Sequence, residues 1–366
     1  MEKLNAVVFY QYLPPWRIDV FNEMAKYYNM TIVFTDADTD GFTYSRESLL
    51  SQLRGINTIF LNTGFRLGGR PIRIGILKML NKYKPDVVFS HEYSPTSIIA
   101  ALYKNIFHYR YVITTSDNVS MAKAVTGLKY QMRHFVLSKA DGAIVYSEPV
   151  KSWYKDKFPK LKLGICPNIQ NPETLLKYRS SFSDKIRELD NKYSLENSQI
   201  ILYTGRLVQV KGLDLLLKAY AKAENAKTKL VLVGEGNQKE YLQSIVETEQ
   251  LQDKVVFVGY ASGIDLYVWY EIADFFVLPS RYEPFGAVIN EALVFGCPVV
   301  SSKYIGALDF VNESNGLIFD PLSVHDFVAT LNKAIKKYSI HNGTRKNLMI
   351  RNFYSYVEVF RTILDK

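Results

Sequence analysis

Short runs of Val, Ile, Leu and Phe recur along this chain, and between most of them the apolar positions shift to helical spacing. Unbroken apolar runs suit strands buried on both faces, and their alternation with amphipathic helices predicts an α/β fold built on parallel sheets. In the first half the predicted strands are Ala6–Tyr10, Thr31–Thr35, Thr58–Leu61, Asp86–Ser90, Tyr111–Thr115, Gly142–Tyr146 and Leu161–Ile165. A polar, helix-forming stretch at Glu173–Asn191 leads to a second series: Gln199–Tyr203, Lys229–Val233, Val255–Val258, Asp274–Leu278, Val299–Ser301 and Gly316–Phe319. Two doubly wound domains follow, 1–167 and 168–351. The amphipathic segment Asn352–Asp365 lies past the last strand and is expected to return as a helix onto the first domain.

Composition supports two ordinary cores: 366 residues, 48% of them apolar. No run approaches the length of a transmembrane helix, and Met1-Glu2-Lys3-Leu4-Asn5 has no signal-like apolar stretch, so a cytoplasmic protein is expected. Cys166 and Cys297 sit far apart in apolar surroundings and read as buried small hydrophobes. Charge changes the picture more. Residues 1–165 hold 22 Lys and Arg against 13 Asp and Glu, whereas residues 166–366 hold 23 of each. The whole net charge of +9 therefore belongs to the first half, which is expected to meet something anionic.

The densest chemistry lies in Pro279–Val300. Glu283 falls in the loop after the strand Asp274–Leu278, beside the turn residues Pro284-Phe285-Gly286. Glu291 lies about one turn inside a helix predicted from Ala287 to Phe295 and stopped by Gly296 and Pro298. Ligands of open α/β sheets bind at that edge, and a helix start suits a phosphate. Carboxylates near a phosphate make sense if they accept hydrogen bonds from sugar hydroxyls on either side of it, which is the layout of a nucleotide-sugar. Gly205-Arg206-Leu207 and Lys211-Gly212 follow the first strand of the second domain, where the two cations could grip a pyrophosphate. Gly234-Glu235-Gly236 and Gly259 end the next two strands, where backbone groups could approach a ligand closely.

This set resembles retaining glycosyltransferases of family 4, through the residues just quoted together with Pro279-Ser280, Glu291-Ala292, Gly296-Cys297-Pro298-Val299-Val300 and Gly316-Leu317. The resemblance covers most of residues 199–320. It implies the GT-B fold, in which two Rossmann-like doubly wound domains face each other across a cleft. It also implies transfer of a sugar from a nucleotide-diphosphate donor to a hydroxyl acceptor, with retention at the anomeric carbon. On the family's pattern, Arg206 and Lys211 hold the donor diphosphate, Glu283 contacts the transferred sugar, Glu291 binds ribose, and the backbone at Phe285-Gly286 helps hold the donor. Gly205, Gly234 and Gly259 complete the donor-binding set. Neither a cofactor nor a metal is expected. The acceptor is expected to be a glycan or a lipid-linked glycan, with an anionic membrane surface as a further partner of the basic half and no nucleic acid.

The first half matches more loosely. Pro85–Glu92 is similar to the family's strand ending in His-Glu, which implies a catalytic place for His91; Glu92 reads as structural. Where many members carry a glycine pair, this chain has Leu13-Pro14-Pro15-Trp16-Arg17, so Pro15, Trp16 and Arg17 are expected to form a different acceptor-side surface. Further departures are Pro167-Asn168-Ile169-Gln170-Asn171, Gly306-Ala307 and Asp309. Arg66–Lys84 can be a basic amphipathic helix lying on an anionic leaflet, with Lys123, Lys129, Arg133 and Lys139 adding to its face. Asp36-Ala37-Asp38-Thr39-Asp40 has metal-like spacing but is ordinary turn material far from the donor motifs. Two other classes share these features: a GT-B sugar-nucleotide epimerase, and a non-catalytic nucleic-acid-binding or regulatory protein with a nucleotide site.

Overall fold

The apolar runs pair side by side as parallel strands in two separate sheets. The computed structural model describes residues 3–36, 45–67, 70–338 and 343–365. It divides the chain into one unit of Met1–Gln170 with Arg351–Lys366 and another of Asn171–Ile350.

In the first unit the strands are β1 (Leu4–Tyr10), β2 (Tyr28–Phe34), β3 (Asn57–Phe60), β4 (Gly64–Leu67), β5 (Arg70–Arg73), β6 (Val87–His91), β7 (Arg110–Thr114), β8 (Gly142–Val145) and β9 (Lys162–Ile165). Seven of them form one sheet in the order β3-β2-β1-β6-β7-β8-β9. Helices cover both faces, so Ile32, Val33, Val87, Val88, Val112 and Ile113 are all fully buried. The strand order reverses between β1 and β6, which places the loops after those two strands at the switch point of the sheet.

The segment expected as a basic helix divides. β4 and β5 form a two-stranded antiparallel hairpin, and only Ile76–Tyr83 is helical. Arg66 and Arg73 turn toward the Asp36 carboxylate, Arg66 at 2.5 Å and Arg73 at 3.5 Å. Asp36 is thus engaged by cations, and the rest of its acidic run, 37–40, lies outside the described residues. Arg133 is likewise no part of a basic face. It is buried in an ion pair with Asp117 at 3.0 Å, and Tyr154 donates to the same carboxylate at 2.6 Å.

The final segment returns to the first unit as two short helices, Phe353–Val357 and Val359–Thr362. Phe353, Val357, Phe360 and Ile363 are buried there, and Tyr28 donates its hydroxyl to the Phe360 carbonyl at 2.6 Å. The close approach depends on Gly164 in β9, since a Cβ at that position would lie 2.0 Å from a Val359 methyl.

The second unit contains β10 (Gln199–Thr204), β11 (Thr228–Val233), β12 (Val255–Gly259), β13 (Phe275–Leu278), β14 (Val299–Ser302) and β15 (Gly316–Phe319). They form a parallel sheet in the order β12-β11-β10-β13-β14-β15, which reverses between β10 and β13. The polar stretch before β10 is broken into Pro172–Leu176, a 3-10 turn at Arg179–Ser181 and the helix Phe182–Tyr193. Both cysteines are buried and unpaired. No helix among the described residues is long and apolar enough to cross a membrane.

Candidate functional site

In the second unit, the residues singled out by sequence fall at the carboxyl edge of β10 to β13, around the switch point. Gly205, Gly234 and Gly259 stand where β10, β11 and β12 end. Gly205 N–H donates to the Val233 carbonyl at 3.0 Å, and Gly234 N–H to the Gly259 carbonyl at 2.7 Å. Gly234 has φ +145, and a Cβ on it would lie 1.9 Å from the Gly205 carbonyl oxygen. Only glycine lets these backbones lie so close, which gives a flat strip of main chain against which a ligand could rest. Leu207 is fully buried, and its N–H donates to the Glu235 carbonyl at 2.8 Å, so the neighbouring Arg206 is held on the surface side of an anchored loop.

Two further contacts clamp the loop after β10 to the loop after β13. Arg281 bonds both oxygens of Asp214 at 2.7 Å, and its own N–H donates to the Val210 carbonyl at 2.9 Å. Although burial works against it, the Arg281 fork holds the Asp214 carboxyl below the ordinary carboxylate range. Lys211 then ion-pairs directly with Glu283, both side chains being largely buried. The Glu283 backbone is fixed as well: its N–H donates to Tyr304 at 3.0 Å, and its carbonyl accepts from Gly306 at 3.1 Å.

Glu291 is the fourth residue of the helix Val288–Val294, and its Oε2 accepts from the Tyr270 hydroxyl at 2.9 Å. That helix is only seven residues long, shorter than expected, so positive charge at this edge comes from side chains more than from the helix start. Phe285 is buried edge-on against Phe310 at 5.7 Å, so it can offer a ligand only its backbone.

In the first unit, His91 ends β6 at the corresponding switch point. Its ring stacks on Tyr10 at 4.1 Å, and its side chain keeps 12% exposure. Thr114 Oγ1 donates to the Ser90 carbonyl at 3.2 Å, so it accepts from His91 Nδ1 at 3.0 Å. This fixes the proton on Nδ1 and leaves Nε2 as an acceptor. Burial, and then the nearby Arg17 charge, lower the His91 pKa to about 3, so the imidazole is neutral at physiological pH. Its 3.5 Å approach to Glu92 is accordingly not an ion pair there. Glu92 is structural in its contacts: its carboxylate accepts from Ser116 N–H at 2.7 Å and from Thr115 Oγ1 at 3.2 Å.

The loop after β1 corrects one expectation. Pro15, Trp16 and Arg17 form a 3-10 turn, with Pro15 and Trp16 half-buried, but Arg17 is 1% exposed and cannot serve an acceptor surface. Its guanidinium lies 5.9 Å from the rings of Phe21, Tyr146 and Phe360 and donates to the Pro167 carbonyl at 3.1 Å. Aromatic faces and a carbonyl give a buried cation the partners that water would supply.

The His91 environment predicts a pH effect. The native imidazole titrates near 3 and an unfolded histidine near 6.5, so between those values the unfolded state holds the extra proton. Stability should therefore fall as pH drops through this window, and His91→Gln should make that fall shallower. Urea midpoints measured from pH 3 to 7 check it; identical slopes in the two proteins would mean the imidazole is not held neutral.

Tyr270, Thr204, Arg281 and Asp214 were not legible as site residues. Arg281 sits inside the quoted Pro279–Val300 run, so its place in the loop was readable but its partner was not. Residues 185–350 match the family described as Glycosyl transferases group 1. The chain is 31% identical over 260 residues to an uncharacterized glycosyltransferase of Methanocaldococcus jannaschii, covering 67% of this chain and 64% of that one. It is 28% identical over 229 residues to the lipopolysaccharide 1,2-N-acetylglucosaminetransferase of Salmonella typhimurium, covering 59% of each. The matches thus span less than two thirds of either relative's length. Among solved structures, HepE of Anabaena in complex with UDP superposes with a TM-score of 0.73 at 18% identity, over 99% of this chain and 97% of that one. The likeness is one of fold, the GT-B fold.

Proposed function

Because residues 185–350 match the family described as Glycosyl transferases group 1, we propose that this chain moves a sugar from a nucleoside-diphosphate donor to a hydroxyl acceptor, with retention at the anomeric carbon. The observation that carries the reading is the convergence of two cations and two carboxylates on one sheet switch point, with Lys211 paired to Glu283 and Glu291 tied to the end of β10.

The reaction builds negative charge on the departing diphosphate and positive charge on the sugar. Arg206 and Lys211 stabilise the first, taking the place a divalent metal could fill. Glu283 holds hydroxyls of the transferred sugar and offsets its oxocarbenium character. Glu291 accepts from the ribose, and the backbone at Gly205, Gly234, Gly259, Phe285 and Gly286 lines the donor. The glycosidic bond to the phosphate breaks, a bond to the acceptor oxygen forms, and the departing phosphate takes the acceptor proton. Neutral His91 offers Nε2 to accept a hydrogen bond from an acceptor hydroxyl. The relative named for lipopolysaccharide and the charge excess of residues 1–165 support a glycan or lipid-linked acceptor presented at an anionic surface. Leu102, Ile106 and Leu128, exposed by 56%, 65% and 72%, supply apolar side chains for such a surface.

A melting screen with UDP, GDP, ADP and their common sugar conjugates tests the donor site. One nucleotide should raise the melting temperature of the wild type but not of Glu291→Ala, and repeating the melts with anionic and neutral vesicles tests the surface. No shift with any nucleotide would remove the ground for a transferase.

A further inference from the structure

Behind Glu291 lies a line of hydroxyl groups that no motif in the sequence contains. Tyr270 belongs to the helix Ile264–Ile272, Thr204 ends β10, and Glu291 lies in the first turn of the helix Val288–Val294. The Tyr270 hydroxyl donates to Glu291 Oε2 at 2.9 Å and shares a 2.6 Å bond with Thr204 Oγ1. Since the phenol has one proton and it is committed to the carboxylate, Thr204 is the donor in the second bond. The Tyr270 ring is fully buried and stacks parallel to Phe295, with centroids 6.0 Å apart and planes within 7°. It therefore has little room to swing. Burial, and next the Glu291 charge, push the phenol pKa well above its ordinary value, so the group stays a donor at any working pH.

We propose that Tyr270, backed by Thr204, is a positioning residue: it locks the Glu291 carboxylate so that its remaining lone pairs meet the ribose hydroxyls of a nucleoside diphosphate, and it thereby sets the preference for ribose over deoxyribose. The inference rests on the reading of Glu291 as the ribose-binding carboxylate. A carboxylate free to rotate must be ordered when the ligand arrives, and one already held by a buried donor is not, so the cost of ordering is removed in advance. Both Tyr270 and Thr204 act through Glu291 and need not touch the ligand.

The test is calorimetric binding of whichever of UDP, GDP and ADP raises the melting temperature, alongside its 2′-deoxy and 3′-deoxy forms. Tyr270→Phe removes one oxygen and keeps the packing. It should bind the ribonucleotide about tenfold more weakly while leaving affinity for at least one deoxy form unchanged, so that the ratio collapses toward one. Thr204→Val, which leaves the Tyr270 hydroxyl in place, should shift the ratio in the same direction by less. A merely structural defect would weaken ribo and deoxy ligands alike, and that result overturns the proposal. Glu291→Ala separates the two layers of the argument. If it keeps the wild-type ratio, the ribose reading fails and the positioning role with it. If it loses the ratio while Tyr270→Phe and Thr204→Val keep it, the positioning role alone fails.

Discussion

Glu283→Gln is expected to lower the turnover number by about 10²-fold, a loss comparable to removing one preorganised electrostatic contact in an active site, while nucleoside-diphosphate affinity stays at or above the wild-type level. The two halves of this expectation come from the same contact. Glu283 is 14% exposed and ion-paired with Lys211, and its backbone is tied to Tyr304 and Gly306, so glutamine should occupy the same place without the charge. Removing the negative charge releases Lys211 to act fully on a diphosphate, so binding should not suffer. The sugar, which gains positive charge as its bond to phosphate stretches, loses its compensating carboxylate, and only the chemical step should slow. Turnover and calorimetric affinity, measured on one preparation, decide the matter. Weaker diphosphate binding with an unchanged turnover number would make Glu283 no more than a partner for Lys211.

Arg206→Ala should cost about 10²-fold in kcat/KM through the diphosphate rather than through the fold. Arg206 is exposed, whereas its neighbour Leu207 is buried and bonded to the Glu235 carbonyl, so the loop is anchored without the guanidinium. The melting temperature should therefore hardly move, as expected for a surface change within about 0.5 kcal/mol. Affinity should fall more for the nucleoside diphosphate than for the nucleoside monophosphate, since the lost charge is assigned to the diphosphate. Equal losses for both ligands would mean that Arg206 shapes the loop instead of gripping a phosphate.

What the sequence made legible, and what it did not, divides by the range of the interaction. Every strand of the two main sheets was read close to its place, because parallel strands announce themselves as local apolar runs, the central ones buried on both faces and the edge strands less so. The donor motifs were legible for a related reason: Glu283, Glu291, Arg206 and Lys211 stand just past such strands, and chain order alone puts those loops at the sheet edge. The hairpin β4–β5 was missed although Gly68-Gly69 is a hairpin signal, because the surrounding cations and apolar residues also fit a helix. Arg17 and Arg133 were read as surface charges. Each is buried by partners that no local pattern reveals: the Phe21, Tyr146 and Phe360 rings for Arg17, and Asp117 for Arg133. Tyr270 carries no motif and fills the core; its hydroxyl has a second role only because Thr204 and Glu291 converge on it from separate elements.

The return of residues 351–365 to the first unit has a consequence for the order in which the molecule can be made. All strands of the first sheet leave the ribosome before any of the second, yet Gly142 and Gly164 remain without their cover until Val359 and Ile363 emerge. The second unit is continuous in the chain and can reach its native state while the first still waits. The first unit is thus started before the second and completed after it. In the interval its apolar face at β8 and β9 lacks its native cover and is a place where a chaperone could shield the nascent chain.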